Sequence, residues 1–190
     1  KETGQLEDTV IIFISDNGGE RFSDNWPLVG GKMDLTEGGI RVPYIVHWPQ
    51  GIQSPGRASE QHSLTMDWTA TILDIAGVKP PSGHSLDGVS LRLTFDQPDA
   101  TFERPMYWRM KHNDQKAFRA GDWKYLKINE YEYLFNIERD ARERANQAKR
   151  EPERLAAMRS QYEAWASQIP PVPDDARVSL IYNLADMPAR

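Results

Sequence analysis

The sequence predicts an α/β fold, in which a first part built of strands and a helix is followed by a small antiparallel sheet with a helix packed on it. Three observations lead to this prediction. An apolar run at residues 10–14 precedes a polar, glycine-rich loop, and residues 63–77 have the pattern of a capped helix. Residues 106–137 alternate apolar and polar side chains. A change from helical to two-residue periodicity is typical of two structural units in one chain.

The first element is a strand at residues 10–14, with the sequence VIIFI. The run is too short for a helix and rich in β-branched residues, which predicts a strand buried on both faces inside an α/β sheet. Ser15-Asp16-Asn17-Gly18-Gly19 follows directly, where open α/β folds bind ligands. A long loop carrying Gly30-Gly31-Lys32 comes next, and residues 41–48 are predicted to form a second buried strand.

A helix is expected after this strand. Ser63 or Thr65 is a suitable N-cap, and Gly77 stands where a left-handed C-terminal residue is favoured. The helical spacing predicts one buried face, formed by Trp68, Ile72, Ile75 and Ala76. A Pro- and Gly-rich connection with one helical turn around Leu91 then leads to residue 100. We place a boundary there, which divides the chain into residues 1–100, a sheet and helix unit at 101–170, and an extended tail at 171–190.

The second unit is predicted to contain four short antiparallel strands between residues 106 and 137, with a tight turn at Gly121-Asp122. Pro152 then begins a helix, since proline is favoured in the first helical turn. Its apolar stripe is Leu155, Met158, Tyr162, Trp165 and Ile169. The aromatic residues Trp108, Trp123, Tyr133 and Trp165 are suited to stack on a sugar, but their spacing favours a core between sheet and helix.

Composition excludes several kinds of partner. The 190 residues carry a formal net charge of −5 with no basic stripe, which argues against nucleic acid and membrane surfaces. No apolar run approaches the roughly 20 residues of a membrane span. The absence of cysteine excludes disulfides and thiolate metal sites but does not decide the compartment. The polar N-terminal residues are unlike a signal peptide.

Several phrases, in order along the chain, carry a resemblance to a known family. They are TVIIFISDNGG, PLVGGKMDLTEGGIRVP, IVHWPQGI, MDWTATILDIAG, LDGVSL, RAGDWKYL and YLFNIERD. Together they resemble the C-terminal portion of a sulfatase of the arylsulfatase type, in the alkaline phosphatase superfamily. The fold implied is the C-terminal part of a sulfatase-type α/β domain, followed by a four-stranded antiparallel sheet with a packed C-terminal helix.

The resemblance also implies a site. In the family, the Asp-Asn of the matching motif binds calcium, and the matching lysine contacts the sulfate group, which gives metal ligands Asp16 and Asn17 and the catalytic, substrate-binding Lys32. The family nucleophile is a formylglycine made from the first residue of Cys/Ser-x-Pro-x-Arg. Residues 53–57 match the Pro and Arg spacing, but Gln53 occupies the nucleophile position. We therefore expect a fragment that is inactive and binds calcium weakly when alone.

Other interpretations of these residues remain open. Asn17-Gly18 after a strand is also a hairpin turn signal, and a lone lysine such as Lys32 is more often a solvated surface residue. Asp34 and Glu37 are further candidates for the metal site, although we favour a role for Glu37 and Arg41 in structuring the loop. The four histidines, at positions 47, 62, 84 and 112, have no metal-ligand spacing, and His112 is the one closest to a possible substrate border.

The sequence therefore predicts the sulfate-binding part of a sulfuric ester hydrolase, acting on an aryl or sugar sulfate in the complete enzyme. Its cofactors are calcium and a formylglycine outside this chain. Two alternatives stay open: a phosphate or phosphonate ester hydrolase of the same superfamily, and a noncatalytic module that binds an anionic sugar. The resemblance favours a periplasmic or secreted protein, and an unpaired strand edge predicts self-association.

Overall fold

The computed structural model describes residues 3–20 and 22–176 of the chain. Strand β1 (Ile11–Ile14), the short helix α1 (Glu37–Ile40) and strand β2 (Tyr44–His47) come first, followed by helices α2 (Asp67–Ile75) and α3 (Arg92–Asp96). Strands β3 (Met106–Met110), β4 (Gln115–Ala120), β5 (Trp123–Ile128) and β6 (Tyr131–Asn136) precede helix α4 (Pro152–Ala166). The mixed α/β class predicted from the sequence is confirmed. Within the described residues, no helix is both long and apolar enough to cross a membrane.

Strands β1 and β2 form a two-stranded antiparallel sheet, with Ile11 opposite His47 and Ile14 opposite Tyr44. One face packs on a core formed by Trp68, Leu91 and Phe95. On the other face, Ile11 is 46% exposed, Phe13 61% and Ile45 58%. The prediction of strands buried on both faces is therefore wrong for the described chain, because only one of the two faces has a partner to pack against.

The helix predicted between residues 63 and 77 is present, but its beginning and its buried face differ from the prediction. Neither Ser63 nor Thr65 caps it. Instead, the buried Asp67 carboxylate accepts a hydrogen bond from the backbone N–H of Leu64 (2.7 Å). Ile72 is 51% exposed, because the packed face is formed by Trp68, Ala70 and Thr71. Gly77 has the expected positive φ of 65°. The helical turn expected around Leu91 is α3.

The C-terminal unit agrees closely with the prediction. Its four strands form an antiparallel sheet in the order β3-β4-β5-β6, and Gly121 takes a φ of 53° at the turn between β4 and β5. Helix α4 begins with Pro152 in its first turn. Its residues Met158 and Tyr162 pack on one sheet face against Phe118, Tyr125 and Leu134.

The opposite face of this sheet packs against the first part of the chain. Its core consists of Leu35, Ala117, Leu126, Phe135 and Ile137. The aromatic residues expected between sheet and helix are divided between these two faces. Trp123 and the α4 residue Trp165 lie on the face that α4 covers, whereas Trp108 and Tyr133 pack with the Leu35 core. The reason is strand alternation, which sends neighbouring side chains to opposite faces. Residues 177–190 of the predicted tail lie outside the described residues.

Candidate functional site

The loop between β1 and β2 brings the residues after β1 against the segment that carries Lys32. The backbone N–H of Lys32 donates to Gly19 O (3.0 Å), and Gly18 N–H donates to Gly39 O (2.8 Å). A Cβ atom on Gly18 would lie 1.7 Å from Gly38 O, so only glycine permits this backbone approach. The two sequence-predicted parts of the site are therefore adjacent, and Asn17-Gly18 is not a two-residue hairpin turn.

Asn25 links the same two segments, although its role was not predicted from the sequence. Its Oδ1 accepts a hydrogen bond from Gly19 N–H (3.0 Å). Its Nδ2 donates to Gly30 O (3.0 Å) and to Gly19 O (3.2 Å). The side-chain carboxamide of Asn25 thus supplies hydrogen bonds that join two backbone segments of a loop without regular secondary structure. No local pattern identifies such a residue, because an asparagine in a loop is common.

Asp16 and Asn17 present their side chains at the carboxyl end of β1. Asp16 is exposed and has no ion pair among the described residues, and its Oδ1 accepts the backbone N–H of Asn17 (3.0 Å). The Asn17 Nδ2 donates to Gly18 O (2.8 Å). This bond leaves the carboxamide oxygen for another partner. A carboxylate and a carboxamide oxygen on adjacent residues are donors that suit a hard cation such as calcium.

Lys32 forms an ion pair with Glu20. Its Nζ lies 3.2 Å from Glu20 Oε2, and both side chains are more than one third exposed. Exposed ion pairs of this kind contribute about 0 to 1 kcal/mol to stability. The backbone of Lys32 is therefore held by its hydrogen bond to Gly19, whereas its ammonium group is held only weakly by Glu20.

Glu37 lies in a buried ionic cluster that joins this loop to the four-stranded sheet. The Lys124 Nζ is 2.9 Å from Glu37 Oε1 and 2.9 Å from Glu143 Oε1. Glu143 Oε2 accepts the backbone N–H of Glu37 (2.7 Å). Lys124 is fully buried and Glu37 is 1% exposed. Burial raises the pKa of Glu143, and Lys124 opposes that rise. Glu37 thus has the loop-structuring role that we favoured over a metal ligand.

Arg119 and His62 extend this cluster. Arg119 Nη1 lies 3.5 Å from Glu37 Oε2, and its Nη2 is 2.7 Å from His62 Nε2. Partial burial and the Arg119 guanidinium lower the pKa of His62. A guanidinium can only donate, so this contact is a hydrogen bond when the imidazole is neutral and accepts at Nε2.

The remaining candidates have separate positions. Asp34 Oδ2 accepts the backbone N–H of Gly31 (3.0 Å) and so stabilises the loop. His47 lies at the end of β2, and His84 lies in the connection before α3. His112 begins a 3-10 turn between β3 and β4. In the described residues, no group of three or more His, Cys, Asp or Glu side chains is placed to hold a metal ion.

Comparison with known proteins decides the family. Residues 1–78 match the family model described as Sulfatase. Residues 1–78 therefore carry a sulfatase-family sequence. It is 35% identical over 127 residues to N-acetylgalactosamine-6-sulfatase of Rattus norvegicus, an alignment that covers 64% of this chain and 24% of the relative. The chain therefore spans about a quarter of that sulfatase.

Similarity to solved structures covers the fold of nearly the whole chain. The crystal structure of Ps i-CgsB superposes with a TM-score of 0.76 at 32% identity, covering 87% of this chain and 38% of that one. A structure of the same protein in complex with k-i-k-neocarrahexaose matches equally well. Phosphonate monoester hydrolase of Agrobacterium radiobacter shares the fold, with a TM-score of 0.62 at 21% identity, covering 88% of this chain and 36% of that one.

Proposed function

We propose that the protein carrying this chain hydrolyses sulfate esters, and that the loop between β1 and β2 holds the sulfate group. The observation that carries the proposal is the contact between the two loop segments, in which Lys32 N–H donates to Gly19 O (3.0 Å) next to the Asp16-Asn17 pair. A cation and two oxygen donors therefore share one small region. Such an arrangement suits an anion that is bound together with a metal.

Lys32 is the residue that contacts the sulfate oxygens. Lysine provides a compact positive charge on a flexible stem, and that charge stabilises negative charge developing on the substrate. Its present partner, Glu20, forms an exposed pair at 3.2 Å. Because such a pair is weak, the ammonium group can exchange Glu20 for a sulfate oxygen at little cost.

Asp16 and Asn17 would hold part of a calcium site. The Asp16 carboxylate is exposed and has no ion pair among the described residues, which fits a cation ligand. Calcium takes six to eight oxygens, so these two side chains fill only part of a coordination shell. When bound, calcium supplies positive charge next to the substrate anion.

The nucleophile of this reaction is not a residue of this chain. The sequence contains no cysteine, and the stretch at residues 53–57, which has the Pro and Arg spacing of the formylglycine motif, begins with Gln53, which cannot be converted into formylglycine. In sulfatases, formylglycine supplies the group that attacks sulfur. The residues of this chain bind and orient the sulfate, and the 190-residue chain alone is expected to release no sulfate.

The substrate class that we favour is a sugar sulfate. The relative from Rattus norvegicus is named for a sulfated amino sugar, and Ps i-CgsB has been crystallised with k-i-k-neocarrahexaose. The resemblance to sulfatases also favours a protein that works outside the cytoplasm, in the periplasm or after secretion.

The fold shared with a phosphonate monoester hydrolase keeps that reaction as a second candidate. The test uses the full-length protein with an aryl sulfate, a 6-sulfated amino sugar and an aryl phosphonate ester as substrates, each with calcium and after chelation. We expect calcium-dependent release of sulfate and little hydrolysis of the phosphonate ester. Preferred hydrolysis of the phosphonate ester would support the second candidate. Binding of sulfated glycans without hydrolysis of any ester would favour a noncatalytic module.

A further inference from the structure

We propose that Gln115 is a positioning residue for Lys32, and that it acts by holding the neighbouring residue Met33 in a strained backbone conformation. The inference rests on the proposed function, because it assumes that Lys32 contacts the sulfate. It concerns a residue far away in the sequence, on the four-stranded sheet. No part of the sulfate-binding loop itself predicts this connection.

The side chain of Gln115 makes three hydrogen bonds, all to backbone atoms. Its Oε1 accepts the N–H of Leu35 (2.9 Å), and its Nε2 donates to Met33 O (2.8 Å) and to His112 O (3.1 Å). Gln115 is 1% exposed and begins β4. A buried carboxamide that uses both its acceptor and its donors on two loops is costly to remove, because every partner would lose a hydrogen bond.

Met33 has a φ of 75°, in the left-handed region that a residue with a side chain rarely adopts. Such a conformation is strained for a residue other than glycine and persists only when its surroundings enforce it. The hydrogen bonds of Gln115 to Met33 O and Leu35 N bracket this part of the chain. They are the contacts best placed to enforce the left-handed turn.

Lys32 lies between two anchors. On its N-terminal side, Gly31 N–H is bound by Asp34 Oδ2 and Lys32 N–H by Gly19 O, each at 3.0 Å. On its C-terminal side, Met33 is held by Gln115. Gly31, the residue before Lys32, has wide conformational freedom. The direction in which the Lys32 side chain leaves the backbone therefore depends on the hydrogen bonds of Gln115 on the C-terminal side.

Gln115 also fixes the turn between β3 and β4. This turn is itself strained, since Asn113 has a φ of 57° and Asp114 a φ of 42°. The amide that holds Met33 O therefore also holds the exposed His112 turn beside the sulfate-binding loop. One buried side chain thus sets the position of two strained segments on the same side of the sheet.

The test compares variants of the full-length protein in hydrolysis of an aryl sulfate and in inhibition by inorganic sulfate. Gln115→Leu removes all three hydrogen bonds and should lower kcat/KM about 10²-fold, the cost of a displacement of about 1 Å at a reacting group. It should also weaken inhibition by sulfate, because the Lys32 ammonium is no longer directed at the anion. Gln115→Asn, which is shorter but keeps a polar carboxamide, should show the same losses to a smaller extent.

A rescue variant separates positioning from general stability. Asparagine tolerates the left-handed region better than methionine, so Met33→Asn in the Gln115→Leu background should restore a substantial part of the sulfate affinity. Met158→Ala is the matched control, since Met158 packs on the opposite sheet face against α4. It should lower the unfolding midpoint but leave inhibition by sulfate unchanged.

The outcomes distinguish this inference from the proposed function. If the wild-type protein hydrolyses the aryl sulfate and Gln115→Leu and Gln115→Asn keep its sulfate affinity and rate, the positioning role is wrong while the function stands. Equal losses of sulfate affinity in Met158→Ala, or no rescue by Met33→Asn, would also contradict it. A wild-type protein that neither hydrolyses sulfate esters nor binds sulfate would contradict the proposed function itself.

Discussion

Glu37, Lys124, Glu143 and Arg119 place two negative and two positive side chains in a largely buried cluster. Removing charges from water is costly, and the cost is recovered only if every charge keeps its partner. Glu37 is followed by Gly38 and Gly39, which contact Gly18. The cluster therefore holds the glycine-rich loop against the C-terminal sheet.

Replacement of Lys124 tests this interpretation. Lys124→Met leaves Glu37 and Glu143 buried without their shared cation and should destabilise the protein by about 3 to 5 kcal/mol. Lys149→Met is the control, because Lys149 is exposed, and it should change stability by no more than about 0.5 kcal/mol. Urea denaturation measures both. A Lys124→Met variant as stable as the control would show that the cluster contributes nothing to stability.

His62 makes the stability of the same cluster depend on pH. Its pKa is lowered in the folded protein from 6.5, chiefly by burial and next by Arg119, while Glu37 and Glu60 oppose the change and Arg41 adds to it. The unfolded chain therefore takes up a proton at a higher pH than the folded protein. Stability should fall as the pH drops below about 6.5, the unfolded value, and should be unaffected by His62 above it.

The variant His62→Gln keeps a hydrogen-bond acceptor for Arg119 but cannot take up a proton. Its unfolding midpoint in urea should fall less than that of the wild type between about pH 7.5 and about pH 5.5. Other titrating groups are common to both proteins and cancel in the comparison. An identical decrease in the two proteins would mean that His62 does not contribute to acid destabilisation.

At the level of elements, helix α4 is attached to the sheet by aromatic residues. Trp165 stacks on Tyr107 with ring centroids 4.9 Å apart, and Tyr107 stacks on Phe118 at 4.6 Å. Trp165 is half-buried rather than fully enclosed. The helix is therefore held by a row of stacked rings at its C-terminal end and by Met158 and Tyr162 nearer its centre.

Trp165→Ala should cost about 2 to 3 kcal/mol, less than the 3 to 5 kcal/mol typical of a fully buried tryptophan, because part of the ring already contacts water. Tyr131→Ala, at a position 61% exposed on β6, is the matched aromatic control and should have a much smaller effect. The midpoint of chemical denaturation gives both values. An unchanged midpoint in Trp165→Ala would indicate that the ring does not anchor the helix and would revive its role in stacking on a sugar.

Elements with strong local signals were predicted well from the sequence. The alternation in residues 106–137, the turn at Gly121 and the proline that begins α4 each act through the backbone of a few residues. The burial of β1 was predicted wrongly, since an apolar run does not show how many faces have a partner. The predicted cap of α2 is absent, since no side chain caps this helix and Asp67 at its first residue instead accepts the N–H of the upstream Leu64.

In the candidate site, too, residues with a local sequence signal were predicted and residues that act through distant contacts were not. Asp16, Asn17 and Lys32 were predicted from their resemblance to a family motif, and the glycines around them explain why the two segments can approach. Gln115, Lys124 and Glu143 were not predicted, because they meet the loop across separations of 80 to 106 residues. Burial of a lysine depends on a partner that only the folded chain supplies.

For the whole molecule, the most conspicuous surface feature is the outer face of the first sheet. Ile11, Phe13 and Ile45 are exposed side by side, on strands that pair only with each other in the described residues. An apolar sheet face and an unpaired strand edge both favour association with other chains. The 190-residue chain should therefore self-associate when it is produced alone.

Light scattering at several concentrations measures this association. Phe13→Lys places a charge in the centre of the apolar face and should shift the 190-residue chain towards the monomer. Ile72→Lys changes an exposed apolar residue on α2, away from this face, and should leave the association unchanged. If both variants, or neither, altered the apparent mass, the association would have to be assigned to another surface.

The central claim is that Lys32 contacts the sulfate group, and the turnover of an aryl sulfate by the full-length Lys32→Ala protein tests it most directly. The variant should show kcat/KM lowered by about 10² or more, the usual cost of losing one electrostatic stabiliser. The unfolding midpoint should stay near that of the wild type, since the Lys32 side chain forms an exposed ion pair with Glu20 and its backbone hydrogen bond is kept in the variant. A Lys32→Ala protein that hydrolyses the aryl sulfate at nearly the wild-type rate would contradict the assignment of this loop as the sulfate site.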